Sequence, residues 1–438
     1  MSKLRIPGVL FAASCIATSA ITPAAILAQD AGTGVPTLTL DEARQRARRV
    51  SPDAVAARGQ VETASWERRS ALANLFTPHI TANGNYTRFS DPFFNFGTGG
   101  ISPNATSATI EARYTLLGAG KLGNLKSSRA SVASAAATET AAQFRTALEA
   151  DRAYFAVLAD RELARVAADR LRRAEEQFGV ARVRVLAGEA IASDSLQLLL
   201  EVNRARVGVL SSDSALTASR LTLGRVAGLS GPAEASPIDS ARLPELPMTL
   251  DEAAAEMRLR GPEITAARAA ERRADAVVMA ERELYLPEVS VGATVGNYDS
   301  ELFPDALNRS QLAVTVSLPI WNAGQRELTV ARARAERNVA RAERQDQERA
   351  AGERVAQAYH GYGTARAGIE LAQIGVTVST ENYRVQRARY REGATTILDL
   401  LEAQVSLTES EAELVQARYR TRLALSQLEA LLGRRIFE

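Results

Sequence analysis

Few residues in this chain have the types and spacing that chemistry requires. Gly118-Ala119-Gly120-Lys121-Leu122-Gly123 is a formal G-x-G-x-x-G between an alternating stretch and a helical one. In that context glycines can let a backbone cradle a dinucleotide's pyrophosphate. Such a site also needs a parallel strand within a βαβ unit of about thirty residues, and here only a long helical pattern follows. The glycines are therefore read as a turn. His79 and His360 are the two histidines, and neither has a partner at ligand spacing. Cys15 is the one cysteine, which leaves no material for a disulfide framework or a multi-ligand zinc site. No catalytic residue, cofactor site or metal site emerges, and the chain does not read as an enzyme.

The charge balance narrows the class further. Lys+Arg is 53 against Asp+Glu 51 in 438 residues, too even for a dedicated nucleic-acid binder. Lys3 and Arg5 precede an almost uncharged stretch from Ile6 to Ala28, the layout of an export signal over residues 1–28. Cleavage near Ala28 competes with lipidation at Cys15, in Ala12-Ala13-Ser14-Cys15. No later run is apolar and long enough for a membrane-spanning helix, so any spanning must be done by strands.

The chain is a duplication. Thr39-Leu40-Asp41-Glu42-Ala43 recurs as Thr249-Leu250-Asp251-Glu252-Ala253. Leu75-Phe76-Thr77-Pro78 matches Leu284-Tyr285-Leu286-Pro287 at an offset of 209, and Leu117-Gly118-Ala119-Gly120 matches Trp321-Asn322-Ala323-Gly324 at 204. The offset then holds at 205, pairing Tyr154 with Tyr359, Gly188 with Gly393 and Asp194 with Asp399. Repeat 1 spans 38–229 and repeat 2 spans 249–438, joined by a proline-marked linker over 230–248.

Each repeat should open with two helices, the second starting at Pro52 or Pro262, where a helix tolerates proline. The pattern then changes to period two. Strands are predicted at about 79–89 and 106–116, and again at about 288–298 and 311–318, each with one apolar and one polar face. The intervening loops, 90–105 and 299–310, are longer than a tight turn needs. Proline-free regions dense in Ala, Arg, Glu and Leu follow over 121–228 and 325–432, with Gly188 and Gly393 as reversal points. Leu400, Leu407 and Leu414, joined by Ala403, Ser410, Ala417 and Ala424 at the same spacing, suggest a coiled-coil seam. Four strands cannot close a barrel, so they would have to be pooled between subunits, and three copies would give twelve. The rival reading is a periplasmic or surface-attached helical protein with a structural or adaptor role.

With the duplication, the strand-end motif Leu318-Pro319-Ile320-Trp321-Asn322-Ala323-Gly324, the Tyr154/Tyr359 pair and Gly393-Ala394-Thr395-Thr396-Ile397-Leu398-Asp399-Leu400-Leu401-Glu402-Ala403, the chain resembles the TolC-like outer membrane efflux protein family. That resemblance implies a mainly α fold with a small β part: a homotrimer sharing a twelve-stranded barrel in outer-membrane lipid above a periplasmic α-helical barrel. It implies passive export from a tripartite efflux pump or type I secretion system, with a periplasmic adaptor (membrane fusion) protein and an inner-membrane transporter as partners. It also implies a gate at the periplasmic entrance. Asp399 and Glu402, three apart on one helix face, match its acidic ring, and Asp194 and Tyr390 match inter-subunit gate contacts. Thr395 stands where some relatives carry Arg.

Overall fold

A computed structural model describes residues 35–95, 100–118, 120–188, 191–238, 244–299 and 307–437. The proposed signal over 1–28, with Cys15 and Ala28, and Ala119 of the glycine motif lie outside the described residues.

The duplicated Thr-Leu-Asp-Glu-Ala motif is a capping box in both repeats. Helix α1 (Leu40–Val50) starts at Thr39, whose hydroxyl accepts from Glu42 N while the Glu42 carboxylate accepts from Thr39 N at 2.8 Å. Thr249 and Glu252 do the same for α5 (Leu250–Arg260). Each box satisfies amides that a helix start leaves open. Helices α2 (Pro52–Phe76) and α6 (Pro262–Arg282) follow, each with proline in its first turn, and a single 3-10 turn (Glu283–Tyr285) extends α6.

Beyond them lie two hairpins, β2 (His79–Asn95) with β3 (Gly100–Leu117) and β5 (Glu288–Asp299) with β6 (Leu307–Ser317). They join into one antiparallel sheet in the order β2-β3-β5-β6. The first hairpin runs past the predicted 79–89 and 106–116. After a register shift between Arg88 and Phe93 the ladder resumes with Phe93 opposite Ser102. Ser90, Asp91 and Pro92 break the alternation there, so a pattern search loses a strand that the ladder keeps. Strand β6 begins at Leu307 rather than 311 and ends at Ser317 rather than 318. The linker, expected to be irregular over 230–248, contains β4 (Glu234–Ala235), which pairs in parallel with β1 (Thr37–Leu38).

The register aligns like faces. Ile80 is opposite Ala112 and Ala82 opposite Ile110; Ile110 meets Val295 and Tyr114 meets Val291; Val291 meets Val314 and Val289 meets Val316. One face is therefore apolar across all four strands, and Ile80, Ile110, Val295, Val314 and Val316 on it are exposed. The other face carries Thr81, Asn83, Glu111, Arg113, Thr294 and Thr315.

The long regions form two helical hairpins, α3 (Lys121–Leu186) with α4 (Ala192–Val226) and α7 (Gln325–Arg391) with α8 (Ile397–Leu432). At 1.5 Å per residue the 66 residues of α3 run about 100 Å. Gly188 and Gly393 end the first helix of each pair with left-handed φ of 78° and 72°. The seven-residue series in α8 is buried at Leu400, Ala403, Leu407, Leu414 and Ala417.

The linker is pinned by the tyrosines that the duplication pairs. Tyr154 Oη donates to Ser236 O at 2.7 Å, and Tyr359 Oη donates to Met248 O at 3.1 Å; Tyr362 adds a bond to Pro244 O at 2.6 Å. Close by, Arg44 of α1 forms a bidentate pair with Asp151 of α3, both bonds 2.6 Å, and approaches Glu429 of α8 at 4.0 Å. Asp151 is 3% exposed and Arg44 13%. Removing one partner of such a pair strands a buried charge, so Asp151→Ala is expected to cost about 3–5 kcal/mol. Thermal unfolding followed by helical circular dichroism reads this as a clearly lowered midpoint, and an unchanged midpoint would contradict it.

Candidate gate at the ends of the long helices

The strand-to-helix glycines show why the dinucleotide fingerprint is only formal. Gly118 has φ of 94° and lies so close to Pro287 and Glu288 that a side chain would collide with their backbone. Gly120, at φ of 70°, is the left-handed residue before α3. Gly123 packs on Ala280, and its amide donates to Glu283 Oε2 at 2.7 Å. The chain's own carboxylate thus sits at the helix start where a phosphate would have to go. His79 begins β2, and His360 stacks edge-on against Tyr359 with 5.8 Å between ring centroids. Neither histidine belongs to a metal-type cluster among the described residues.

The four expected gate residues lie at the far ends of the long helices, in two groups. The first is built around Tyr390 in the last turn of α7. Its ring is buried with Leu198, Ile397 and Leu400. Its hydroxyl has no hydrogen-bond partner among the described residues. Arg184, near the end of α3, donates from Nη1 to Tyr390 O at 2.7 Å and holds its guanidinium 5.5 Å from the ring centroid. A cation on the last carbonyls of a helix is favoured by the helix dipole. Asp194 is half-buried in the first turn of α4. Burial pushes the Tyr390 hydroxyl up from its ordinary pKa and the Asp194 carboxylate adds to the rise, while Arg184 opposes it.

The second group is on α8. Asp399 is its capping-box residue: Thr396 Oγ1 accepts from Asp399 N, and Asp399 Oδ2 accepts from Thr396 N at 3.0 Å, Thr396 Oγ1 at 2.6 Å and Thr395 Oγ1 at 2.8 Å. The Thr396 hydroxyl is the main cause holding the Asp399 carboxyl below its usual range, followed by the Thr395 hydroxyl and the Thr396 amide. Glu402 is exposed one turn further on. Both carboxylates therefore lie on an exposed face of α8, and Asp399 also supports the helix start. Thr395, in the place of an expected charge, acts locally through that carboxylate.

Sequence reasoning missed Arg184 and Thr396. Thr396-Ile397-Leu398-Asp399 fits the capping-box pattern, so Thr396 was legible. Arg184 lies 206 residues before Tyr390, one off the repeat offset, and only the packing of α3 beside α7 joins them.

A family description, "Outer membrane efflux protein", matches residues 43–229 and 254–434, one segment in each repeat. The chain belongs to this family, which is one of outer membrane channel proteins, and its location is the outer membrane. Among relatives, it is 24% identical over 362 residues to the probable efflux pump outer membrane protein TtgC of Pseudomonas putida, covering 80% of this chain and 73% of that protein. It is 26% identical over 308 residues to outer membrane protein OprJ of Pseudomonas aeruginosa, covering 68% and 64%. Its fold is similar to that of the Campylobacter jejuni CmeC outer membrane channel, with a TM-score of 0.78 and 15% identity over 90% of this chain and 85% of that one. The open state of the Neisseria gonorrhoeae MtrE outer membrane channel gives 0.75 and 20%, over 90% and 89%.

The Asp399 cap has a definite pH dependence. Folding favours the ionised carboxyl, so its contribution is fully present above the ordinary carboxyl pKa of about 4 and is lost as pH falls through the lowered folded value. Wild type is expected to melt above Asp399→Asn near neutral pH, with the gap narrowing as pH falls below the ordinary carboxyl range. A gap that persists in acid would contradict this role.

Proposed function

We propose that three copies of the chain close one twelve-stranded barrel across the outer membrane, and that their long helices continue it as a tunnel into the periplasm. The observation that carries this reading is the four-stranded sheet, apolar and exposed on one face, with β2 and β6 unpaired at its edges. In hydrocarbon those edges would leave backbone groups unsatisfied, and about eight strands are the fewest that close. The polar face, with Asn83, Glu111 and Arg113, suits a water-filled lumen.

The channel is the passive exit duct of a tripartite efflux pump. It docks on a periplasmic adaptor and an inner-membrane transporter, and the transporter supplies the energy. The similarity to efflux pump outer membrane proteins favours efflux over type I secretion. Residues 1–28 serve export to the periplasm, with cleavage near Ala28 or lipidation at Cys15.

At the periplasmic entrance, three copies of Asp399 and Glu402 form a ring of six carboxylates around one axis. Such a ring draws cations and repels anions. Asp194, Tyr390 and Arg184 hold the helix ends that frame it. In planar bilayers the protein is expected to open cation-selective channels. Asp399→Asn with Glu402→Gln should move the reversal potential in a salt gradient toward zero. An unchanged potential would remove the ring's role, and the absence of any conductance from outer-membrane fractions would contradict the channel.

A further inference from the structure

The end of α8 meets the elbow between α5 and α6, and α3 and α7 flank that meeting. Gly261 forms the elbow. A side chain there would run into the Met257 carbonyl oxygen at 2.5 Å, with the Leu431 carbonyl just beyond. Past α8, Gly433 turns with φ of 74° against the Pro262 ring. These close approaches fix the helix ends, yet a cavity of about 310 Å3 remains among them. That volume is at the lower end of the range for small-molecule sites. Phe144 and Leu148 of α3, Met257 of α5, Ala358 of α7 and Leu431 of α8 give it apolar walls. Three charged side chains, Arg145, Glu263 and Arg354, line the same cavity.

The duplication shows which position opens it. By the offset of 205, Ala430 stands where repeat 1 has Arg225, and Arg354 stands where it has Glu149. In repeat 1 the Arg225 guanidinium reaches to within 3.9 Å of the Glu149 carboxylate, so a long side chain occupies that position. In repeat 2 the methyl group of Ala430 lines the cavity instead. Arg354 then finds its partner in the first turn of α6, where its Nη1 donates to Glu263 Oε2 at 2.7 Å. The helix dipole favours that carboxylate at a helix start.

The ion pair neutralises Arg354 and leaves a positive surplus. Arg145 is exposed, and nothing among the described residues forms an ion pair or hydrogen bond with it. Behind the wall, the Arg48 guanidinium lies 5.9 Å from the Phe144 ring centroid. Its Nε is buried without a hydrogen-bond partner among the described residues. Burial, followed by the nearby Arg44 and Arg435, pushes the Arg48 pKa below its ordinary value.

We propose that this cavity binds a small organic anion with an apolar body, an aromatic carboxylate of one or two rings. The ring lies against Phe144 and Met257, and the carboxylate pairs with Arg145. An aromatic face and a methionine sulfur suit a planar ring, and the guanidinium fork suits a carboxylate. Walls held by the close contacts at Gly261 and Gly433 need little ordering when the ligand enters. The site lies within one chain and is independent of how copies assemble.

Calorimetry on the full chain in lipid nanodiscs tests this, with naphthoate as the probe and empty nanodiscs as the blank. Saturable binding of naphthoate is expected, with neutral naphthamide about tenfold weaker. Arg145→Gln should weaken naphthoate by about the same tenfold and leave naphthamide unchanged. Ala430→Arg, which copies repeat 1, should abolish the binding of both. Where Ala430→Arg does not fold, Ala430→Leu fills the cavity with an apolar group and should give the same loss. Absence of saturable binding to the unsubstituted chain overturns the site. Binding that survives a folded Ala430 variant unchanged puts the probe elsewhere and also overturns it. Equal affinity for naphthoate and naphthamide, or indifference to Arg145→Gln, overturns the assignment of an anion.

Discussion

Hydrocarbon offers backbone N–H and C=O groups no partner, so a chain that crosses it with strands must close them on one another. This constraint organises the rest of the molecule. Each repeat provides one hairpin, and β3 and β5 join the two into a sheet whose like faces coincide. Yet the sheet still ends in β2 and β6, each with one side unpaired. The exposed Ile80, Val314 and Val316 and the two open edges are two aspects of one requirement, which the proposed assembly of copies would meet.

The helices meet a different demand. Between barrel and tips they pack through small residues and ion pairs more than through large apolar side chains. Ala43, Ala150 and Ala174 are fully buried, and Arg44–Asp151 and Arg170–Glu201 cross between helices. Close approach through alanine explains a composition rich in that residue and poor in aromatics. Lys and Arg number 53 against 51 Asp and Glu, so the chain is near neutral overall and, in the proposed duct, the sign is left to local groups such as Asp399 and Glu402. Asp399 carries two tasks at once, stabilising the start of α8 and presenting charge on its exposed face. Thr395 and Thr396 bind one carboxylate oxygen, Oδ2.

Much of this was legible in the sequence because it rests on periodicity. The repeat offsets, the period-two strands and the proline-free helices each leave a pattern along the chain, and Gly188 and Gly393 mark the two reversals. The first hairpin was underestimated because Ser90, Asp91 and Pro92 break the alternation while Phe89 and Phe93 stack 4.4 Å apart and the ladder continues. The short strand at Glu234–Ala235 left no trace, since two residues carry no period. At the candidate gate, Asp399 and Tyr390 could be named from resemblance, but the partnership of Arg184 with Tyr390 joins residues 206 apart and exists only once α3 lies beside α7.

The central claim is that this sheet is one third of a closed barrel. Native mass spectrometry of the protein extracted from outer membranes in detergent tests it most directly. The account predicts a particle of three chains that stays intact until the detergent shell is stripped and the strands are unfolded. A particle of one chain, or of any number other than three, would contradict it.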